Sequence, residues 1–459
     1  MTDGQPRSND AAPRPDGEPD DPDLRFDALV IGAGAGGMAA AARLSNFGYR
    51  TLLVESRDRV GGRASTKEVG EFTVHTGALI ITTGGENERL FDELGADMGV
   101  SVPDTPMTLR LGRLDVPLTK GPVGALANGS LRLVNSLSSR FDGLRPPTGI
   151  SIGEWITARG RKPRVMRLIR NLTSAMFAAE PTDVDAAMFF EYFTKKDALN
   201  IGVHPDGAIG PWQVLANVFE RDGGTLWLSS TVDRLTFDGA GLVNGAVIDR
   251  SGEAVTVSTS LAISDVGPLA TVGLCGAANL PEGYGESVRA TSRPSTLIVV
   301  HFASRIPLRK LTGLTLFAST TRLAYAMEVT AMSPTLAPPG WYLYAAASSP
   351  HPASGDFDSD AEVAILKREL ADNYPEFGRA RIVSVDICGG DVWPAQRAII
   401  GHDWPQTTPV ANLWNVGDGA REHGQADQSG CVGSARIVTD QIRRDHPPRS
   451  SADLRIRHL

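Results

Sequence analysis

Near the N-terminus the apolar positions run unbroken through Ala28-Leu29-Val30-Ile31. They give way to a glycine-rich stretch and resume as an alanine-rich run from Met38 to Leu44. An unbroken apolar run of this length suits a strand buried on both faces. The alanine-rich run is long enough for a helix, and Gly48 stops it. A second apolar run, Thr51-Leu52-Leu53-Val54, reads as the next strand. The pattern predicts a β-α-β unit with parallel strands.

Beyond this unit the pattern changes repeatedly. Residues 86–204 read mostly as helix and loop. Pro211 opens a helix over residues 212–221 that Asp222-Gly223-Gly224 ends. Apolar runs at 225–228, 232–237, 242–248 and 254–258 read as strands, with Asp238-Gly239 and Ser251-Gly252 as turns between them. The run Leu261-Ala262-Ile263-Ser264 reads as a separate buried strand. Residues 295–302 and 341–347 predict strands of a second sheet, and 360–374 a helix on one of its faces. There is no internal repeat.

The glycine-rich stretch gives the first unit its chemistry. Gly32-Ala33-Gly34-Ala35-Gly36-Gly37 satisfies G-x-G-x-x-G at Gly32, Gly34 and Gly37, between the strand and the helix. Gly32 makes the tight turn, Gly34 admits a pyrophosphate against the backbone, and the helix N-terminus offers free N–H groups and a positive dipole end. Glu55 ends the second strand, where its carboxylate accepts from a ribose hydroxyl and repels the extra phosphate of NADP. Ser56 and Arg57 follow it. Then comes Val60-Gly61-Gly62-Arg63-Ala64, a basic, glycine-bearing segment that a simple nicotinamide-binding domain does not need. Gly62 and Arg63 suit a second close approach to the phosphate and sugar chain.

The segment resembles the GGRA motif of a flavoprotein superfamily that includes phytoene desaturases, retinol-saturase-like proteins, flavin amine oxidases and protoporphyrinogen oxidases. The resemblance extends to Phe72-Thr73-Val74-His75-Thr76-Gly77-Ala78, where bacterial phytoene desaturases usually carry Asp in place of His75 and Pro in place of Ala78. It returns at Asn412-Leu413-Trp414-Asn415-Val416-Gly417-Asp418-Gly419 and at Ser429-Gly430-Cys431-Val432-Gly433-Ser434-Ala435. It implies FAD as cofactor and an α/β fold: a Rossmann-type FAD-binding domain in three segments (25–85, 205–283 and 402–445) with a mixed α+β substrate domain (86–204 and 284–401). Residues 1–24 and 446–459 are left as tails. The resemblance also places Gly77 and Ala78 near the isoalloxazine and the stretch around Val232 near the adenine. Gly417 and Asp418 form a Gly-Asp turn. Gln428 and Ser429 lie at the start of the last helix, whose N–H groups face the flavin pyrimidine.

Composition narrows the partners. A chain of 459 residues exceeds one compact core. The net charge of −8 gives no basic footprint for nucleic acid. Residues 1–25 carry seven acids and three bases with almost no large apolar residue, so they read as a disordered tail without a secretory apolar core. No apolar run is long enough to predict a transmembrane helix. Cys275, Cys388 and Cys431 are odd in number and widely spaced, which fits a reducing cytoplasm; peripheral membrane association stays open. No metal-ligand spacing stands out.

Four titratable residues are candidates for acid–base work beside the ring: His75, Glu422, His423 and Asp427. A structural hydrogen-bonding role is the favoured reading of His75, and a solvated loop is the alternative for the other three. Phe177, Phe189, Phe190, Tyr192 and Phe193 form either a core face or part of a cavity wall. Cys388 lies upstream of the Gly-Asp turn, at a spacing that invites comparison with the cysteinyl–flavin of some monoamine oxidases. Amine oxidases of the superfamily commonly place a lysine at the start of the strand that here begins at Leu297, where it holds a water against flavin N5. Residues 284–309 contain none. The sequence therefore points first to an FAD-dependent oxidoreductase, desaturase-like, moving hydride between flavin and a hydrophobic or alicyclic substrate. An oxygen-using amine oxidase is the second reading and a binding-only flavoprotein the third. The electron acceptor, oxygen or quinone, and the oligomeric state are not specified.

Overall fold

The computed structural model of the chain describes residues 24–118, 146, 148–160, 162–194, 200–308, 311, 313–389, 396–397, 404–420 and 427–448. Its first sheet grows from the strand Arg25–Ile31, which pairs in parallel with Thr51–Val54 on one side and Glu253–Ser264 on the other. Thr225–Trp227 extends it beyond Thr51–Val54, and Leu413–Asn415 pairs with Glu253–Ser264. The parallel core is apolar on both faces: helices cover one, and the antiparallel strands Ser230–Phe237 and Val243–Arg250 pack against the other. Helix Ala35–Asn46 packs on one face, with Ala39, Ala40, Ala41 and Ala42 buried without remainder. Small side chains let this helix lie close to the helices Gly210–Arg221 and Asp427–Asp445.

The meander differs in one respect from its sequence pattern. The runs 254–258 and 261–264 are one strand, Glu253–Ser264. Its first half pairs antiparallel with Val243–Arg250 and its second half pairs parallel with Arg25–Ile31. Thr259 and Ser260 do not interrupt it, because strand pairing on both sides outweighs their weak local preference for turns.

A second sheet has the order Arg381–Cys388, Leu297–Ser304, Tyr342–Ser348, Tyr325–Glu328, Leu314–Phe317, Met107–Leu111, Leu114–Pro117. The hairpin at 107–117 lies inside a stretch that reads as helix and loop, so the second sheet is larger than its sequence pattern suggests. Helix Ser359–Asn373 covers one face of this sheet, and Leu366 and Leu370 enter the cluster around Phe302 and Tyr344. Helix Pro163–Phe177 contacts Leu314–Phe317 and Tyr342–Ser348. Among the described residues no helix is long and apolar enough to cross a membrane.

Candidate active site

The turn after the first strand is built on close backbone approaches. Gly32 has φ +92°, a conformation that glycine adopts freely. A Cβ on Gly37 would overlap the Gly32 carbonyl oxygen, so this glycine is fixed by helix–turn packing. A Cβ on Gly36 would stand 2.8 Å from the Gly417 nitrogen and 2.7 Å from an Asp265 carboxylate oxygen. Gly417 has φ +88° and its N–H donates to Ser434 Oγ at 2.8 Å, which ties the Gly-Asp turn to the last helix. Gly36, Gly37 and Gly417 thus form the floor beneath the cavity rather than its surface.

A cavity of roughly 590 Å³ opens above this floor. Gly32, Gly34, Glu55, Ser56, Arg57, Gly62, Arg63, Gly77, Ala78, Val232, Asp418, Asp427 and Gln428 all line it. Glu55 is buried and orders the loops around it. One carboxylate oxygen accepts from the Ala33 N–H at 2.7 Å, and the other from the Arg57 N–H at 2.9 Å. Spare lone pairs on both oxygens leave room for a ribose hydroxyl. Ser230 hydrogen-bonds through its N–H to the Glu55 carbonyl at 2.9 Å, which brings Thr231 and Val232 to the same wall. Gly77 is held close to Arg63: a Cβ there would lie 2.7 Å from the Arg63 carbonyl oxygen, to which the Ala78 N–H donates at 3.0 Å.

Past Gly77 and Ala78 the walls become apolar. Ile80, Met176, Ile201, Leu297 and Leu314 line this end with Tyr192 and Tyr325. Of the aromatic run, Tyr192 lines the cavity; Phe177 and Phe189 pack in the core behind it, and Phe190 is stacked edge-on to Trp155. The side chain of Phe193 lies outside the described residues.

Asp427 stands at the junction of the two ends with φ +54°. Its Oδ2 accepts from Thr82 Oγ1 at 2.8 Å and from the Tyr192 hydroxyl at 3.4 Å. Its Oδ1 accepts the Ser429 N–H at 2.7 Å. The last helix starts at Asp427, and the Ser429 N–H that the sequence reading aims at the flavin is taken by this carboxylate. Ser429 itself is off the cavity surface, whereas Gln428 lines it and donates to the Ile80 carbonyl at 3.2 Å. Glu422 and His423 lie outside the described residues.

His75 is fully buried and does not line the cavity. Its ring is stacked on His301 with centroids 6.2 Å apart, and neither ring nitrogen has a hydrogen-bond partner among the described residues. The His75 backbone N–H donates to His301 Nε2 at 3.3 Å. The His301 proton is therefore on Nδ1, which donates to Ser384 Oγ at 3.1 Å; Ser384 in turn donates to Asp386 at 2.7 Å. Burial, reinforced by His301, pushes the His75 pKa down to about 3, so the ring is neutral at ordinary pH.

Cys388 does line the cavity. Its thiol donates to the Thr76 carbonyl at 3.2 Å, and burial, with Asp386 adding to it, pushes its pKa up to about 12. A thiol held neutral in this way is a poor nucleophile.

Sequence reasoning missed the third strand-turn-helix of the site. Glu253–Ser264 runs into Asp265, Val266 and Gly267, and Pro268 opens the helix Pro268–Cys275. Asp265, Val266, Gly267 and Ala270 line the dinucleotide end. The available signal was a Gly-Pro pair directly after a buried apolar run, which marks a helix start. Ser295 was missed as well; the residue lines the cavity, and its buried hydroxyl has no partner among the described residues.

Residues 30–95 match the family of NAD(P)-binding Rossmann-like domains. A Mycobacterium tuberculosis protein named as a flavin-containing monoamine oxidase is 26% identical over 274 residues, 54% of this chain and 56% of its own length. The chain thus spans little more than half the length of that curated relative. The phytoene desaturase (neurosporene-forming) of Rhodobacter capsulatus is 40% identical over 80 residues, 17% of this chain and 15% of its own. The chain is thus similar to a flavin-containing monoamine oxidase and to phytoene desaturases, each over part of its length. The likeness in fold extends over nearly the whole chain: the crystal structure of an oxidoreductase from Methanosarcina mazei superposes with a TM-score of 0.75 at 24% identity, covering 90% of this chain and 100% of that one. The GGRA segment and the Gly-Asp turn meet at the cavity floor through Arg63 and Asp418.

Proposed function

We propose that the chain is an FAD-dependent oxidoreductase that moves hydride between the flavin and carbon of a neutral, largely apolar substrate, forming or removing a C=C bond. One observation carries this reading. A single cavity joins a glycine-floored dinucleotide cradle to an apolar chamber, with Gly77 and Ala78 where the two meet. Bound FAD supplies the two-electron redox chemistry.

The chain's own residues do the rest. Gly34 and the N-terminus of helix Ala35–Asn46 seat the pyrophosphate, and Glu55 orients the ribose. The Arg63–Asp418 pair fixes the floor between the ends of the chain. Ile80, Met176, Ile201, Leu297 and Leu314 exclude water and position an apolar substrate. Tyr192, Thr82 and Asp427 form a hydroxyl–carboxylate group at the junction, able to hold a proton close to the reacting carbon. Glu422 and His423 remain candidates for the same task.

Amine oxidation is the second reading. It is favoured by the length of the match to the monoamine oxidase-named relative and by the carboxylate of Asp427 in the wall. Against it, no lysine lines the cavity among the described residues. The test is anaerobic bleaching of the enzyme-bound flavin by two substrate panels, polyenes and alicyclic ketones or alkanes on one side and primary and secondary amines on the other. Bleaching by the first panel alone is expected; bleaching by amines alone establishes the second reading.

A further inference from the structure

The dinucleotide cradle contains a carboxylate that the superfamily motifs do not predict. The N–H of Asp265 donates to the Ile31 carbonyl at 2.8 Å, which fixes the residue beside the glycine turn. Its carboxylate lies against that turn, where the Gly37 N–H in the first turn of helix Ala35–Asn46 favours its charge. A Cβ on Gly34 or Gly417 would overlap it, and one on Gly36 would lie 2.7 Å away. The helix has no side-chain cap at Gly34 and no acidic residue in its own first turn. Asp265 is therefore an acidic side chain brought from another strand to the helix end where the phosphates of a dinucleotide bind.

We infer that Asp265 shares this helix N-terminus with the cofactor's pyrophosphate and takes up a proton when the cofactor seats, so that FAD binding by this chain is proton-linked. The inference rests on the FAD reading above. Burial is the main force against charge on Asp265; Glu55 and Asp418 add to it, while the Gly37 N–H and Arg63 oppose it. The balance raises its pKa to about 8 in the empty chain. A phosphate anion at the same helix end disfavours the carboxylate further. Below the empty-chain pKa the proton is already present and binding is undisturbed. Above it, each bound FAD must draw a proton from solvent, and affinity falls as pH rises. A neutral Asp265 then donates to a phosphate oxygen instead of repelling it.

The test uses the full chain freed of flavin, titrated with FAD across the pH range on either side of about 8, together with Asp265→Asn. The wild-type Kd is expected to rise by up to about tenfold per pH unit above that point. Calorimetry in buffers of different ionisation heat should register the uptake of a proton there. Asp265→Asn, which keeps size and donor capacity, should bind without that slope and more tightly than wild type at the alkaline end. Parallel pH profiles for the two proteins, or no proton uptake by wild type, would overturn the inference. Proton uptake is read on the wild type alone, so it decides the matter even if the variant folds poorly. Failure of the wild type to bind FAD at any pH would overturn the cofactor reading itself; tight, pH-independent binding would overturn this inference alone.

Discussion

Arg63 and Asp418, 355 residues apart in sequence, meet in an ion pair of 3.1 Å at the floor of the cavity. The pair joins the GGRA segment to the Gly-Asp turn, and Asp418 is nearly buried while Arg63 keeps one edge open to the cavity. It is the contact through which the segments around Gly62 and Gly417 join in one cavity wall.

Arg63→Ala leaves a buried carboxylate without its cation. Loss of that partner should cost about 1–3 kcal/mol of stability, and most of the retained flavin with it. Adding Asp418→Asn should recover part of the stability, because the two changes act on one interaction. Thermal melts of the four proteins and their flavin-to-protein ratios check this. Strictly additive losses would show that the pair is incidental.

Two neighbouring glycines should fail in different ways. A side chain on Gly34 meets the end of the Asp265 side chain and then the cavity, so Gly34→Val should fold and lack FAD. A Cβ on Gly37 meets the Gly32 carbonyl, a backbone atom that cannot turn aside. Gly37→Ala should therefore destabilise the whole first domain, visible in circular dichroism and in the melting temperature. Normal flavin content in Gly34→Val would mean that another segment holds the pyrophosphate.

How much of this was legible depended on the reach of each signal. The glycine turn, Glu55 and the GGRA segment could be read because their constraints are local: a positive φ, a close approach, a strand end. The Gly-Asp turn could be read only through its likeness to known flavoproteins. The role of Asp265 could not be read, because what a strand-end carboxylate faces is decided by a loop more than 220 residues earlier in the chain. The hairpin at 107–117 was hidden for a related reason. Met107–Leu111 is held by parallel pairing with Leu314–Phe317, a partner that no local pattern announces.

His75→Ala should act on stability more than on turnover. The ring is outside the cavity and neutral, so flavin reduction in any folded, flavin-loaded variant should slow by less than the 10²-fold typical of a lost general base. The pH dependence carries its own sign. The folded pKa of about 3 lies below the unfolded value near 6.5, so the unfolded chain binds the extra proton between them. Stability from this site is full above about pH 6.5 and falls as the pH drops towards 3, by at most about 1.4 kcal/mol per unit. His75→Ala should flatten that part of the stability profile in denaturant titrations. An unchanged slope with a hundredfold loss of rate would make His75 an acid–base residue after all.

Acid precipitation should release all the flavin. Cys388 sits in the cavity wall, but its thiol is held neutral with a pKa near 12 and donates to Thr76. Covalent capture of a flavin needs a thiolate. Flavin that stays with the pellet, and is lost in Cys388→Ser, would reverse this conclusion.

The reaction class has the sharpest consequence for oxygen. A charge placed next to flavin N5 speeds reoxidation by stabilising the developing superoxide. Here the strand Leu297–Ser304 and the residues just before it bring Leu297 and Ser295 to the cavity wall, and no cation. Asp427 stands at the junction, and a carboxylate there works against an anionic oxygen species. Enzyme reduced anaerobically should therefore persist when air is admitted, with visible flavin absorbance returning slowly and little hydrogen peroxide formed. Placing a cation in the wall should change this: Ser295→Lys should quicken reoxidation while leaving flavin content unaltered. Reoxidation of the wild type within milliseconds, with peroxide in equal amount and an amine as the reductant, would establish the oxidase reading in place of carbon–carbon dehydrogenation.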